Sequence, residues 1–313
     1  MNNIRSDHRL ALAAAFATVY VVWGSTYLAI RVAVESMPPF LMASGRFLIA
    51  GGMLLAWALF RGTPSPSRAE WRDAAIAGTL MLAGGNGLVS WAETSVSSGL
   101  AAVIVATVPA WFALFDWIRP GGVRPSAVTL VGIAVGFCGV AMLLAGGVGA
   151  GTNLHFTVTG LVAMVLSTAC WAAGSIWSRN GSRPSSPVLG AALQMLCGGG
   201  SLLLIALFRG ETTGLHLAVI PARSWAAWGY LVVMGSFVAF NAFNYMLRHA
   251  SPAAVSTYAF VNPVVAVFLG WALLGESISG RMAVSMAVIV LGVVLITIGP
   301  WVLRRWTSLG EQV

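Results

Sequence analysis

Polar and aromatic side chains recur at helical spacing within long apolar stretches of this sequence. Trp23, Thr26 and Tyr27 are three and four positions apart, so they share one face of a helix. Polar groups in hydrocarbon are costly unless they are paired or hydrated. We therefore predict that such faces, from six apolar stretches, surround a solvated cavity that binds a small solute. The predicted lining is Trp23, Thr26, Tyr27, Asn86, Trp111, Trp171, Asn241, Tyr258 and Asn262.

The alternative for each of these residues is a purely structural role. Small and amide side chains often form hydrogen bonds between neighbouring membrane helices, each worth about 0.6 kcal/mol. A single serine or threonine favours that interpretation. Faces repeated on six stretches favour the cavity.

Two charged residues lie in or beside the apolar stretches, and each has two interpretations. Glu93 either couples transport to a proton or binds a substrate amine, or it is an acid in a loop at the membrane interface. Arg46 falls inside an apolar stretch, where it either anchors an anionic group or extends toward an interface. The position 148 residues later is Gln194, so the repeat described below does not carry this charge twice.

Prolines occur at matching depths in two apolar stretches. Pro109 lies near the middle of 97–117, and Pro263 occupies the equivalent position in 251–271, a shift of 154 residues. Proline removes a backbone donor and leaves a carbonyl without its helical partner. We predict that both prolines act as hinges, and the alternative is a static kink in each helix.

The composition identifies an integral membrane protein. Hydrophobic residues make up 58% of the chain and charged residues 8%, with a mean hydropathy of +0.86. A soluble domain averages about 25% charged residues. The long continuous apolar stretches favour helices over a β-barrel. The net charge of +8 comes from arginine. We interpret these arginines as residues of the loops on one side of the membrane, so we predict no nucleic-acid partner.

The sequence predicts no enzyme. It has no nucleotide-binding loop, no catalytic triad and no metal-ligand spacing, so we expect no cofactor and no metal site. Two other hypotheses are kept as alternatives. One is an intramembrane lipid-modifying enzyme, which would need a reactive cluster near an interface. The other is a scaffold subunit, which would not need buried polar faces; we infer no obligate protein partner.

Ten apolar segments, each long enough to cross a bilayer, follow one another with short connections. They cover 10–30, 38–60, 74–92, 98–118, 126–147, 157–178, 187–208, 224–247, 253–274 and 282–303. The first segment is too long for a signal peptide and many others follow, so we expect it to remain uncleaved.

The two halves of the chain repeat one another. At a shift of 148 residues, Trp23 meets Trp171, Arg31 meets Arg179, and ALFRG at 58–62 meets ALFRG at 206–210. Five segments per half is an odd number, so the second half enters the membrane from the opposite face. We predict an all-α protein of ten transmembrane helices in two inverted five-helix repeats, 10–147 and 157–303, with a site at the midplane between them.

Arginine placement predicts the orientation. Twelve arginines fall on the side of the chain termini, whereas Arg31, Arg209, Arg223 and Arg281 fall on the other. Positive charge concentrates on the cytoplasmic side, so both termini are predicted to be cytoplasmic.

The fifth and tenth segments lack polar faces, and Gly132, Gly136 and Gly139 in the fifth indicate close packing. That pair of segments is expected either at the periphery or at a homodimer contact.

Four blocks of the sequence resemble a known family. They are WGSTYLAIRVAVESMPPFLMASGRF (23–47), GNGLVSWAE (85–93), SGLAAVIVATVPAW (98–111) and SPAAVSTYAFVNPVVAVFLGWALLGE (251–276). In these blocks the chain is similar to the EamA-type drug/metabolite transporters, close to the YedA-like branch, and the resemblance covers nearly the whole chain.

The resemblance implies ten helices in two inverted halves around a cavity that opens to one side at a time. It also implies export of small metabolites or amino acids across the bacterial inner membrane. Import or facilitated two-way transport stays open as an alternative. The asparagines of the predicted lining depart from the related exporters of aromatic amino acids, so the resemblance does not transfer their substrate preference.

Overall fold

The computed structural model describes residues 2–96, 104–147, 157–182, 184, 186–213, 215–274 and 280–300, and this part of the chain is built of helices. The helices are α1 (Asn2–Val34), α2 (Pro39–Phe60), α3 (Arg68–Ala92), α4 (Val108–Ile118), α5 (Ala127–Gly147), α6 (Val158–Asn180), α7 (Pro187–Phe208), α8 (Ala222–His249), α9 (Pro252–Ser256), α10 (Tyr258–Leu274) and α11 (Gly280–Thr297).

Six of these helices are long and apolar enough to cross a bilayer within the described ranges. They are α2, α3, α6, α7, α8 and the part of α1 from Arg9 onward. The sequence-predicted segments 98–118 and 282–303 each extend beyond the described residues, whose limits there are 104 and 300. The segment predicted at 253–274 contains both α9 and α10.

The same local sequence signals begin and end the corresponding helices of the two halves. Proline occupies the first position of α2 (Pro39) and of α7 (Pro187), where its missing N–H has no helical partner to lose. Each copy of ALFRG ends in a glycine with a positive φ, +73° at Gly62 and +69° at Gly210. Glycine adopts this left-handed conformation without a steric penalty, so both copies end their helix in the same way.

Two extensive helix contacts join corresponding helices of the two halves. α2 packs on α7, and α5 packs on α11. A Cβ atom on Gly132 would lie 2.8 Å from Ile296, and one on Gly139 would lie 2.8 Å from Ile289. Residue numbers rise along α5 as they fall along α11, so the two helices run antiparallel.

α2 and α7 also run antiparallel. The hydroxyl of Ser44 donates a hydrogen bond to the carbonyl oxygen of Gly199 at 2.9 Å, and a Cβ atom on Gly51 would lie 2.8 Å from the Cβ of Met195. The small residues on both helices allow this close approach, as is typical of helix contacts in membranes.

Two helices contain a stretch of π-helix at equivalent positions. In α3 the stretch covers Thr79–Gly87, and in α8 it covers Leu231–Ala239, nine residues in each case. π-Helical turns are rare and often occur at functional sites. Both stretches lie at the centre of the bundle, where the first packs on α6 and the second on α1.

Equivalent arginines make similar hydrogen bonds within each half of the bundle. Arg31, in the last turn of α1, donates a hydrogen bond to the carbonyl oxygen of Glu93 at 3.0 Å. Arg179, in the last turn of α6, donates to the carbonyl oxygens of Leu247, at 2.9 Å, and of Ala250. The repeated arginine therefore fastens the end of α3 in one half and the end of α8 in the other.

Candidate functional site

A cavity lies at the centre of the bundle, where helices from both halves meet. It offers about 90 Å³ to the centres of water molecules, several times the ~10–15 Å³ that one water requires. Its walls come from α1, α2, α3, α4, α6, α8 and α10 and from residue 105. The lining reaches Ile30 near the end of α1 and Val89 near the end of α3, so the cavity extends from the centre toward that end of the bundle.

Seven of the nine residues predicted to line a cavity line this one. They are Trp23, Thr26, Tyr27, Asn86, Trp171, Tyr258 and Asn262. The helical spacing of three and four residues brings together the three side chains from α1, as the sequence predicts. That these residues bind a solute remains a prediction.

Aromatic rings form one wall of the cavity. The repeat-related residues Trp23 and Trp171 meet edge to face with their ring centroids 5.3 Å apart. Tyr258 lies 5.1 Å from Trp23, and Phe243 lies 4.9 Å from Trp23 and 5.5 Å from Trp171. Such pairs favour offset or edge-on contacts, each worth roughly 0.5–1.5 kcal/mol beyond burial. The cluster gives the cavity a rigid apolar wall.

The two tryptophans also touch the π-helical stretches. The indole nitrogen of Trp23 donates a hydrogen bond to the carbonyl oxygen of Gly235 at 3.3 Å, in α8. A Cβ atom on Gly85, in α3, would lie 2.9 Å from the ring of Trp171. Each half therefore places its tryptophan against the irregular helix of the other half, and glycine provides the space.

Several polar atoms around the cavity have no hydrogen-bond partner within the described structure. Both Asn86 and Asn262 leave the Oδ1 atom buried and unpaired, and Asn262 is only 2% exposed. Most buried polar groups in proteins are paired, because an unpaired one costs about 1–3 kcal/mol. These acceptors are therefore available to a bound solute or to water.

Arg46 and Glu93 bring buried charge to the same region. Arg46 lines the cavity with 4% of its surface exposed, and its guanidinium carbon lies 4.3 Å from the ring centre of Phe47. Glu93 follows α3, is 3% exposed, and interacts electrostatically with Arg31, Arg46 and Tyr27. Its carboxylate is not among the groups that line the cavity.

Two predicted lining residues lie outside the cavity. The amide nitrogen of Asn241 donates to the carbonyl oxygen of Phe237 at 2.6 Å, one turn earlier in the same helix. Trp111 stacks on Phe115, with their ring centroids 5.7 Å apart. Neither side chain is among the groups that line the cavity.

The two prolines occupy different places in their helices. Pro109 is in the first turn of α4, directly after a turn at residues 106–107, so the helix is interrupted just before it. Pro263 lies inside α10, and the break in that half comes earlier, at Thr257 between α9 and α10. A hinge role for either proline remains a prediction.

Other residues contribute to the lining that the sequence-based set did not include. Thr168 lies one turn before Trp171 on α6, Phe240 comes from α8, and Gly235 is a position in the π-helical stretch. The spacing of three from Trp171 was a signal for Thr168. For Gly235 the sequence carries no such signal, because the irregular winding exposes that position.

The described residues contain no group of three histidine, cysteine, aspartate or glutamate side chains that could hold a metal ion. The fold and the cavity define a class of protein. A helical membrane protein with a partly polar cavity between sequence-related halves has the architecture of a solute transporter. The model of the EamA-like transporter family matches residues 10–145 and 158–298. The chain belongs to the EamA-like transporter family.

Curated relatives agree with this assignment. The chain is 42% identical over 302 residues to the inner membrane transporter YedA of Escherichia coli K12, covering 95% of this chain and 94% of that protein. It is 24% identical to a probable terminal-alkyne amino-acid exporter of Streptantibioticus cattleyicolor, covering 90% and 92%. The similarity to YedA confirms the predicted branch, and the chain is a multi-pass inner-membrane transporter and not an enzyme.

A solved crystal structure shares the fold. It superposes with a TM-score of 0.75 at 22% identity, covering 93% of this chain and 97% of that one. At this identity the likeness concerns the fold alone.

Proposed function

We propose that this protein is a secondary transporter that exports small metabolites or amino acids across the inner membrane by alternating access. The observation that carries the proposal is the central cavity, which both halves line and which contains buried, unpaired polar atoms. A scaffold would gain nothing from unpaired acceptors such as Asn86 and Asn262, because they destabilise the bundle when nothing binds them.

The proposed architecture is ten transmembrane helices in two inverted repeats, 10–147 and 157–303. The antiparallel packing of α2 on α7 and of α5 on α11 supports it, since each pair joins corresponding helices of the two halves. The two family matches cover nearly the same ranges. In such folds, one repeat rocks against the other around a fixed site.

The energy for transport comes from a gradient or from the solute itself, because the sequence has no nucleotide-binding loop. The relative from S. cattleyicolor, a probable amino-acid exporter, supports the outward direction. Import or facilitated two-way transport is the alternative. In this proposal Pro109 and Pro263 allow the helices beside the cavity to bend, and Glu93 is the candidate for proton coupling.

Counterflow in liposomes tests the proposal. The purified protein is reconstituted into vesicles loaded with an unlabelled amino-acid mixture, and uptake of labelled amino acids is measured one at a time. Trp171→Ala removes part of the aromatic wall and Asn262→Ala removes a buried acceptor, so each is expected to lower the rate by about tenfold or more.

Two matched variants complete the design. Trp57→Ala changes a tryptophan that is 52% exposed on the outside of α2, and it is expected to transport at the wild-type rate. Asn241→Ala changes an amide that lies outside the cavity, and a loss of transport there would restore the sequence-based lining. If Trp171→Ala and Asn262→Ala both transport at the wild-type rate, the cavity is not the transport site.

A further inference from the structure

The cavity contains a buried cation, two of whose nitrogen atoms have no hydrogen-bond partner among the described residues. Arg46 is 4% exposed, lines the cavity, and has both Nε and Nη1 buried and unpaired within the described structure. Its close neighbour is the ring of Phe47, with 4.3 Å between the guanidinium carbon and the ring centre. A ring face attracts a cation but accepts only weak hydrogen bonds, so the donors of Arg46 remain available.

The nearby carboxylate does not satisfy this arginine. Glu93 interacts with Arg46 through space, but the two residues do not form an ion pair within 4 Å, and both carboxylate oxygens of Glu93 are also buried and unpaired. Arg31 acts on the same carboxylate and donates to the backbone of Glu93 at 3.0 Å. Glu93 therefore interacts with two guanidinium groups and its carboxyl oxygens bond to neither, so it does not serve as the partner of Arg46.

The repeat shows that this charge is not part of the shared scaffold. The position equivalent to Arg46 in the second half is Gln194, whose amide nitrogen donates to Ser178 at 2.7 Å. Gln194 lines a smaller pocket of about 20 Å³ and does not reach the central cavity. The fold therefore forms around an uncharged side chain at one of the two positions, and the charge at the other needs a different explanation.

We propose that Arg46 binds the anionic group of the transported solute, a carboxylate or a phosphate. This proposal rests on the proposed function and adds the chemical class of the substrate. The planar guanidinium offers donors that match two oxygens of such a group, and the low-dielectric surroundings strengthen the charge-assisted hydrogen bonds. The negative charge of the solute would also lie beside the buried guanidinium of Arg46.

The other residues that line the cavity indicate the features of the rest of the solute. The rings of Trp23 and Trp171 offer flat apolar surfaces, and the Oδ1 atoms of Asn86 and Asn262 accept hydrogen bonds. The matching solute has one anionic group, a small apolar or aromatic body and at least one hydrogen-bond donor. A permanent cation without an anionic group does not match, because it would add to the positive charge.

Binding of four small aromatic probes to the protein in lipid nanodiscs tests this assignment. Benzoate and phenyl phosphate carry the anionic group, whereas benzyl alcohol and benzylamine carry a neutral and a cationic group on a similar ring. Isothermal titration and the shift in melting temperature report binding. We expect at least one anion to bind the wild type and the other two probes to bind at least tenfold more weakly. Comparison of the two anions tells which group the site prefers.

Variants connect the binding to Arg46. Arg46→Gln places the residue of the equivalent position there, and we expect it to weaken anion binding by roughly 30-fold or more, the usual consequence of removing one partner of a buried charged pair. Arg46→Lys keeps the charge and is expected to lose less. The control Arg68→Gln removes an exposed arginine at the start of α3 and is expected to bind as the wild type does.

Three results would overturn the assignment. The first is that neither anion binds the wild type, and the second is that the neutral or cationic probe binds better than both anions. The third is that a folded variant, Arg46→Gln or Arg46→Lys, binds the anions at least as well as the wild type does. Counterflow separates this failure from failure of the proposed function. If vesicles exchange neutral or cationic solutes but not anionic or zwitterionic ones, the transporter proposal stands and the role of Arg46 is wrong. If no solute is exchanged, the transporter proposal fails.

Discussion

At the scale of single residues, glycine decides how closely the helices approach. A Cβ atom on Gly198, in α7, would lie 2.4 Å from the carbonyl oxygen of Gly78 in α3, which is too close for any side chain. Gly200 lies two positions further along the same helix, and a Cβ atom there would meet no atom of the described residues within 4 Å. Only the first of these glycines is needed for packing.

The two glycines provide a matched pair of variants. We expect Gly198→Ala to destabilise the protein by about 1–3 kcal/mol, because the added methyl group forces α7 away from α3. Gly200→Ala should be neutral or stabilising by up to about 1 kcal/mol, because alanine favours the helix. Melting temperatures in one detergent compare the two. Equal destabilisation by both changes would show that the close contact of Gly198 does not limit stability.

The sequence predicts individual cavity residues well where a helix is regular. On α1, regular winding carries Trp23, Thr26 and Tyr27 into the cavity together. It does not predict what a side chain does once it has an alternative partner. Asn241 bonds to a carbonyl of its own helix, and Trp111 stacks on a neighbouring ring, so both lie outside the lining.

At the scale of helices, the π-helical stretches limit what a periodic pattern can predict. A regular period of 3.6 residues, extended through α8, places Asn241 and Asn244 on one inward face. The stretch Leu231–Ala239 has i→i+5 hydrogen bonds and winds more loosely, so residues that follow it are rotated from the regular pattern. Nothing in local composition distinguishes this stretch from ordinary helix, so a periodic pattern along α8 does not predict this rotation.

The start of α2 depends on an acid from the segment that follows α7. The carboxylate of Glu211 accepts a hydrogen bond from the backbone N–H of Leu41 at 2.8 Å, and Arg209 lies over the rings of Phe40 and Trp91. Burial raises the pKa of the Glu211 carboxyl above its ordinary value, although the hydrogen bond to Leu41 opposes the shift. The folded protein therefore holds a proton on this group more readily than the unfolded chain does.

This shift gives stability a pH dependence of known sign. A carboxyl whose pKa is raised on folding contributes most at a pH below its unfolded value, and the contribution is lost as the pH rises through the folded value. We expect the difference in melting temperature, wild type minus Glu211→Gln, to decrease as the pH rises from about 4 to about 8. A difference that stays constant, or rises, over this range would contradict the expected sign.

At the scale of the whole molecule, arginine placement predicts the orientation of the bundle. A reporter tag in the connection at residue 65 should be accessible only from the cytoplasm, and one at residue 151 only from outside, because twelve arginines fall on the side of the chain termini. Residue 151 lies outside the described residues, so the second tag tests the sequence argument alone. Labelling of intact cells and of inverted vesicles with an impermeant reagent gives the measurement, and the reversed pattern would refute the orientation.

The repeat was visible in the sequence, but the way in which its copies meet was not. Shared positions such as Trp23 and Trp171 predict two related halves, and an odd number of segments predicts that one is inverted. That these two tryptophans touch at the centre, and that α1 packs mainly on helices of the second half, depends on tertiary packing. Short-range patterns carry no information about such distant contacts.

The contact between α5 and α11 also bears on how the protein is made. Gly132, Gly136 and Gly139 lie on α5, yet the surface they form fits Ile296, Gly292 and Ile289 on α11, which are synthesised about 150 residues later. Until α11 is inserted, this glycine surface lacks the helix that it contacts in the folded bundle. This contact between the halves therefore forms only after α11 is inserted, and a nascent chain without α11 leaves the first half without this partner.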